Sequence, residues 1–474
     1  MTLFKKLLFC WLVLSVVPGS LIAQTLFTQL NNAVKNLEAD PQLKHALVGF
    51  SVLETRTGKP LYEHNAQIGL AAASSQKVLT SGAAFELLGK DYRYKTELGY
   101  EGKIDNGVLK GSLFVTGSGD PTLGSWRWTA TNESTVLHTW TDKIKEAGIY
   151  SIEGVLLGDD RKWESATIPD GWIWQDMGNY YGAGASSINW RENQYDLILK
   201  AGDKIGDTCT IVSTTPRLFQ AQLICEVTAA EKGSGDNAYI YLPPYASYGF
   251  VRGTIPVGAN AFAISGSFPN SSTQLIFTLG ENLKQAGVNI GILFGSFYIP
   301  LVEKRNAVLQ THTFYTHFSP PLDSINYWFL KKSINLYGEA LIKTIAYEKT
   351  GKGSTQKGVE LVRDFWSRQG IDKSAINILD GSGLSPQNRI TADALASAMQ
   401  YASSRPWFSL FYNALPEING LKMKSGSIGG ARSFTGYSKS RNGNEYTFAI
   451  IVNNYDGSAG EMVRKMWTVL NTLK

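Results

Sequence analysis

In the stretch AAASSQKVLTSGAAFELLG, Ala71 to Gly89, two serines stand just before a lysine and an apolar run. A serine hydroxyl is a weak nucleophile at its own pKa and needs a neighbouring base. If Ser74 begins a helix, Lys77 lies one turn on and on the same face, whereas Ser75 points elsewhere. Lysine serves as a base only where burial and nearby cations disfavour its ammonium form, and the apolar run after Lys77 favours partial burial. The competing reading is a capped helix start with Lys77 on the surface. Ser-x-x-Lys alone is a weak signal, because Ser354-Thr355-Gln356-Lys357 repeats it inside the polar GKGSTQKG. That second copy reads as a surface loop.

A serine and lysine mechanism needs two further elements. Ser-x-Asn occurs as Ser187-Ile188-Asn189, Ser324-Ile325-Asn326 and Ser333-Ile334-Asn335, so the pattern does not choose between them. Lys424-Ser425-Gly426, followed by Ser427, stands just before a turn, on a strand whose edge can pair with an extended peptide. By itself a lysine at a strand end is usually solvated surface. Other chemistries fit poorly. No serine has the G-x-S-x-G surroundings of an α/β-hydrolase elbow, and His312 with His317 does not make a zinc helix. No glycine loop is followed by Lys-Ser/Thr to cradle a phosphate.

These residues must be positioned by a large scaffold. A chain of 474 residues implies two or three domains. Residues 1–23 read as a secretory leader: Lys5-Lys6, an apolar run from Leu7 to Val17, then small residues before Ala23. The competing reading there is an uncleaved anchor, although the run is short for a membrane span of about 20 residues. The net charge of +5 includes both leader lysines, which leaves little electrostatic basis for nucleic-acid binding. Beyond the leader only Cys209 and Cys225 remain, and export permits a disulfide between them; two buried free thiols are the alternative.

The remaining pattern alternates helical and strand-like texture. ALVGFSVLETRTGKPLYEHNA predicts two strands around a turn, and a leading helix precedes it. From about Asp91 to Gly291 short β-like runs dominate, as in GVLKGSLFVTGSGDPTLG. Helical spacing returns in DSINYWFLKKSINLYGEALIKTIAYEK and VELVRDFWSRQG. The end predicts three strands, turning at Gly429-Gly430 and Asn442-Gly443, and a last helix. The expected fold class is α/β (α+β), with helices around an antiparallel sheet and a long β-rich insertion forming one or two extra domains. The expected boundaries are 24–80 with 290–474 for the catalytic domain, 81–105 with 186–289 for one insert and 106–185 for a second.

Taken in order, SSQKVLTSGAAFELLG, GSGDPTLG, GDDRKW, DGWIWQDMGNYYGA, SPPLDSINYWFLKKSIN, DGSGLSPQNRIT and KMKSGS resemble the class C low-molecular-mass penicillin-binding proteins. These are the penicillin-binding protein 4-like D-alanyl-D-alanine carboxypeptidases and endopeptidases. The resemblance covers nearly all of the chain after the leader and implies a penicillin-recognising serine transpeptidase-like fold. It implies Ser74 as nucleophile, Lys77 as its base, and Ser333 with Asn335 as the second motif. Lys424 would supply a cationic field and help bind the substrate carboxylate, and the N–H groups of Ser74 and Ser427 would form the oxyanion hole. Ser425, Gly426, Asp176 and Tyr181 are the implied substrate-binding residues, with Asp176 facing the free amine of a diamino acid. For Asp176 a loop-stabilising role is the plain alternative, and core packing for Tyr181. The implied partners are peptidoglycan stem peptides and, as covalent inhibitors, β-lactams; no cofactor or metal is implied. An exported, periplasmic protein with at most peripheral membrane association is expected. Two departures stand out: Ser425 replaces a more frequent threonine, and Pro386 stands where an arginine often follows DGSGLS, the nearest being Arg389. A β-lactamase and a non-catalytic peptidoglycan-binding scaffold are the rival readings.

Overall fold

The computed structural model of the protein describes residues 18–294 and 312–474, so the leader reading over residues 1–17 lies outside the described residues. The chain forms two compact units. The first takes the residues up to Val78 together with Gln369–Asn377 and Asn388–Lys474, and the second takes Leu79–Arg368 and Ile378–Gln387.

The first unit is built on a six-stranded antiparallel sheet. Its order is Glu417–Ile418, Leu421–Ile428, Ala431–Lys439, Glu445–Asn453, Leu47–Glu54 and Pro60–His64. Gly430 and Gly443 take positive φ, as the two expected hairpin turns require. Alternation along each strand sends Val48, Phe50 and Val52, with Phe448, Ile450 and Val452, to one face. There they pack with Leu30, Val34 and Leu37 of helix Pro18–Glu38 and with Met462, Met466 and Val469 of helix Ala459–Leu470. The opposite face packs helix Ala392–Ser403 and the short turn of helix Ala73–Gln76. Leu47–Glu54 is thus buried on both faces, which explains its nearly continuous apolar run.

The second unit departs further from expectation. Its main sheet has seven strands, His312–Phe318, Lys95–Tyr100, Leu113–Gly117, Ser151–Asp159, Val108–Lys110 and Lys103–Asp105 in order, with Asn289–Phe294 also paired to Ser151–Asp159. A domain boundary at 105/106 would cut the hairpin Lys103–Asp105/Val108–Lys110, where Asn106 and Gly107 make a positive-φ turn at 47° and 83°. The expected β-rich middle also holds two long helices. Glu133–Glu146 is capped by Asn132, whose Oδ1 accepts from Thr135 N at 2.8 Å, and Ser271–Gln285 by Asn270, which accepts from Thr273 N at 3.0 Å. Each buries one stripe, Trp140 and Ile144 on the first and Leu275, Leu279 and Leu283 on the second. Helices Leu322–Lys331 and Asn335–Thr350 belong to this unit as well, separated at Ser333, which has φ 58°.

Three consecutive residues, Arg191, Glu192 and Asn193, hold left-handed φ of 53°, 54° and 55°, a conformation that non-glycine residues rarely adopt. A buried ion pair accounts for it. The fully buried Glu192 carboxylate accepts from Arg127 Nε at 2.7 Å, Arg127 Nη2 at 3.1 Å, Ser125 Oγ at 2.7 Å and Tyr337 OH at 2.8 Å. Tyr337 stands in the first turn of helix Asn335–Thr350, so the network braces that helix start. Glu192→Ala should lower the stability of this unit by about 1–3 kcal/mol, because it leaves the buried Tyr337 hydroxyl and the half-buried Arg127 guanidinium without their acceptor. Urea unfolding followed by circular dichroism measures the loss, and Glu192→Gln should lose less.

Candidate active site

Ser74 lies in a four-residue turn of 3-10 helix, Ala73–Gln76, that leads directly into helix Lys77–Leu87. Lys77 Nζ donates to Ser74 Oγ at 2.9 Å. Lys77, Ser75 and Gln76 have no solvent exposure, whereas Ser74 is only half-buried and is the residue of this turn that opens outward. Ser75 instead ties the turn to the sheet. Its hydroxyl donates to Lys424 O at 3.2 Å and lies 2.8 Å from Ser433 Oγ, which donates to Ala72 O at 2.5 Å. The residue before the nucleophile candidate, Ala73, has φ 46°. Such strain costs on the order of 1–3 kcal/mol and persists only where the surroundings over-determine it. Asn453 supplies part of that constraint by clamping both polar groups of Ala71. Its Oδ1 accepts from Ala71 N at 2.8 Å and its Nδ2 donates to Ala71 O at 3.0 Å.

Strand Leu421–Ile428 runs against this turn. A Cβ built on Gly426 would come within 2.2 Å of Ala72 O and 2.9 Å of Ser75 N, so only glycine permits the approach. Lys424 lies on the same strand face as Gly426, 2% exposed, with Nζ donating to Ser425 O at 2.8 Å. Burial first, and then the Lys77 ammonium, push Lys424 well below the ordinary lysine pKa. Ser425 alternates to the other face, so its backbone rather than its hydroxyl adjoins Lys424. Met423 N donates outward to Pro416 O at 3.0 Å, and ladder alternation gives Ser425 and Ser427 the same outward N–H direction. Strand Glu417–Ile418 pairs only with Leu421 and Lys422. Among the described residues, no strand covers the stretch Ser425–Ser427 on that side.

A second cluster forms within the other unit. Asn335 Nδ2 donates to Tyr181 O at 2.7 Å, and the Tyr181 hydroxyl is hydrogen-bonded to the Asp176 carboxyl. Burial raises the Asp176 pKa, partly offset by that hydrogen bond, and burial followed by the Asp176 charge raises Tyr181. Both residues sit in a loop, 167–184, closed at its base by Ala185 N donating to Thr167 O at 2.9 Å. Fully buried Lys343 reinforces the closure by donating to Ala166 O at 2.5 Å and Ala185 O at 3.0 Å. Burial pushes Lys343 down to about 8 against the opposing pull of Glu164 and Glu339. Trp172, in the same loop, donates from Nε1 to Asp380 Oδ2 at 2.9 Å, and Asp380 also accepts from Gly383 N and Ser385 N. The DGSGLS segment is therefore a hydrogen-bonding hub. Its Gly381 O accepts from Thr80 Oγ1 at 2.7 Å.

The structure thus brings Ser74, Lys77, Lys424, Gly426 and the Ser427 edge together in one unit, and Asn335, Tyr181 and Asp176 together in the other. The competing motif copies have other tasks. Ser354 begins helix Thr355–Arg368, its Oγ accepting from Lys357 N at 3.4 Å, while Lys357 Nζ pairs with Glu360 at 2.9 Å. The GKGSTQKG stretch is therefore half loop and half helix start. Ser324 Oγ accepts from Trp128 Nε1 at 2.9 Å, and Ser187 O from Gly119 N at 2.7 Å. Cys209 and Cys225 are free thiols, correcting the bridged alternative. Cys209 is buried and Cys225 half-buried, and Cys209 N donates to Val227 O at 2.8 Å. Arg389 is exposed, with Nη1 donating to Asn388 O at 2.8 Å, and Pro386 is exposed too. Among the described residues no group of three or more His, Cys, Asp or Glu is placed to hold a metal, and no helix is long and apolar enough to cross a membrane. Sequence reading missed Asn453, Ser433, Glu192 and Lys343. Only Lys343 left a signal, a lysine inside the apolar helical run LIKTIA.

Comparison with known proteins places the chain in a family. Residues 30–473 match the D-Ala-D-Ala carboxypeptidase 3 (S13) family. The D-alanyl-D-alanine carboxypeptidase of Actinomadura sp. (strain R39) is 27% identical over 466 residues, covering 91% of this chain and 82% of that protein. D-alanyl-D-alanine carboxypeptidase DacB of Haemophilus influenzae is 24% identical, covering 88% and 87%. The crystal structure of penicillin binding protein 4 (dacB) from Haemophilus influenzae shares the fold, with a TM-score of 0.78 at 21% identity over 93% of this chain and 98% of that one. With the match running through nearly the whole length, the chain belongs to the D-Ala-D-Ala carboxypeptidase 3 (S13) family of serine peptidases.

Proposed function

We propose that Ser74 attacks the carbonyl of the peptide bond after a D-alanine in peptidoglycan stem peptides and cross-links, forming an acyl-enzyme that water then hydrolyses. The observation that carries this reading is the 2.9 Å contact from the unexposed Lys77 Nζ to the outward-opening Ser74 Oγ. Lys77 takes the serine proton, and Lys424 supports it by making a second ammonium in the same buried space unfavourable. The N–H groups of Ser74 and Ser427 receive the developing oxyanion, each worth about 3–4 kcal/mol in comparable sites. The open edge at Ser425 to Ser427 takes an extended substrate by strand addition. In the same reading Ser333 relays a proton toward the leaving amine, Asn335 orients Lys77 and the substrate amide, and Asp176 with Tyr181 receives the amine of a diamino acid. A D-alanine leaving group makes this carboxypeptidase chemistry, and a D-alanyl-diamino acid bond makes it endopeptidase chemistry. Pro386 in place of an arginine favours the second, because it removes a partner for a terminal carboxylate. β-Lactams acylate the same serine. The leader-like residues 1–23 support export to the periplasm, with cleavage after Ala23.

Three outcomes test this reading. Intact mass after brief incubation with penicillin should rise by one penicillin on the peptide holding Ser74, in wild type and Ser354→Ala but not in Ser74→Ala. Absence of both adduct and penicillin consumption would favour a non-catalytic scaffold, whereas consumption without adduct would indicate a β-lactamase. Acylation should speed up as pH rises, because the base acts only when unprotonated and its field-sharing partner Lys424 has a lowered pKa. Lys424→Met removes the repulsion, so the rising limb of the rate against pH should move to higher pH, with a rate at pH 7 lower by about tenfold or more. Gly426→Ala should slow acylation by about 100-fold without preventing folding, since the added methyl displaces the Ser74 turn. Stopped-flow acylation by a chromogenic cephalosporin reads both variants.

A further inference from the structure

Among residues given no part in the proposed chemistry, the second unit carries an open groove of about 680 Å³ whose lining includes Trp126, Asn132, His138, Arg191, Asn282 and Gln285. Trp126 is 53% exposed there. Its indole is nonetheless held, because the Arg127 guanidinium lies 5.6 Å from its ring centroid and is itself fixed by the buried Glu192 carboxylate at 2.7 Å. A rigid, exposed aromatic ring offers a flat apolar platform.

The groove sets amide donors beside the Glu133 carboxylate. Asn132 Oδ1 is already occupied by Thr135 N at 2.8 Å and Ser134 Oγ at 2.9 Å, which leaves its amide N–H groups for a ligand. Asn282 Oδ1 accepts from Thr141 Oγ1 at 2.8 Å, again leaving the amide donors. Arg191 is engaged by Glu133 through Nη1, and its Nε is buried without solvent access. The Arg191 charge is matched by Glu133, so this arginine is no unpaired cation.

We infer that this groove binds a neutral N-acetylated sugar of a glycan strand, with a sugar face on Trp126 and acetamido and hydroxyl oxygens accepting from Asn132 and Asn282. An anion finds no net positive charge to draw it. The choice of an N-acetylated sugar rests on the proposed peptidoglycan substrate, whose strands consist of such sugars. Binding there would hold the glycan while the stem peptide is processed elsewhere on the same chain.

The test is calorimetric titration of the full-length mature chain with the soluble tetramer of N-acetylglucosamine, with cellotetraose as the sugar lacking acetamido groups. Wild type should bind the first at least about tenfold more tightly than the second. Trp126→Ala should weaken the tetramer by about tenfold or more, while Trp126→Phe stays within about threefold. Asn282→Asp keeps the oxygen that Thr141 uses and removes the amide donors, so it should weaken binding by about fivefold and decides the matter if Trp126→Ala fails to fold. Penicillin acylation of Ser74 should be unchanged in all three variants. The inference is overturned if wild type does not bind the tetramer at millimolar concentration, binds cellotetraose equally well, or is matched by both Trp126→Ala and Asn282→Asp. A wild type that binds the tetramer but forms no penicillin adduct would instead overturn the acylation reading and leave this one standing.

Discussion

A lysine without solvent exposure, held 2.9 Å from a serine hydroxyl, is the constraint around which the first unit is arranged. An ammonium moved out of water costs several kcal/mol even after relaxation. Lys424, nearly as buried and facing the same charge, compounds that cost. A structural lysine would escape it by reaching the surface through its long stem. Here both stems stay inside, and the stabilisation must come from elsewhere, namely a central strand buried on both faces and a sheet packed by helices at both ends of the chain. The fold thus sustains two buried lysines close enough for the charge of Lys77 to lower the pKa of Lys424.

Proximity alone does not place the serine. Ala73 holds a strained φ, and the turn survives because its backbone is engaged on several sides at once: Asn453 on Ala71, Ser433 on Ala72, and the bare Cα of Gly426 against both Ala72 and Ser75. All three partners lie on strands of the six-stranded sheet, so the rigidity of the ladder passes to the turn that carries Ser74. Ser75 has a consequent role. Being adjacent to Ser74, it points in the opposite sense and can anchor the turn by its hydroxyl while Ser74 is left free to open outward.

How much of this was legible in the sequence follows from how local each feature is. The two C-terminal hairpins were readable because Gly429-Gly430 and Asn442-Gly443 fall between alternating runs, and Ser74 with Lys77 because one helical turn fixes their geometry. The helices Glu133–Glu146 and Ser271–Gln285 were not, since short apolar stretches among glycines and asparagines read equally well as strands. The hairpin across residues 105 and 106 defeated the domain boundary for a related reason: Asn106-Gly107 is punctuation, and punctuation marks a tight turn as readily as a linker. Buried polar partners were illegible altogether. Glu192 meets Tyr337 across 145 positions and Lys343 meets Ala166 across 177, and no periodicity encodes such pairs.

Lys343 shows what those distant pairs do. Its pKa falls from 10.5 to about 8, so the folded chain releases that proton more readily than the unfolded chain. By linkage the buried ammonium destabilises the fold by about 3 kcal/mol below pH 8, and the cost is relieved as pH rises from about 8 toward 10.5. A residue whose charge is a net cost at neutral pH is not retained for stability. What it supplies is geometry, because its donors join the carbonyls of Ala166 and Ala185 at the two ends of the loop carrying Asp176 and Tyr181. A neutral amine still has two N–H groups for those two carbonyls, so the tie outlasts deprotonation. Glu192 acts in the same way on the helix that begins with Asn335, through the Tyr337 hydroxyl. In both units, then, Ser74, Asn335, Asp176 and Tyr181 sit on turns, loops and helix starts, which ladders and helices do not hold by themselves, whereas Lys424 is carried by a strand. Buried polar groups bonded to those segments hold them instead, at an energetic cost that an apolar core would not incur.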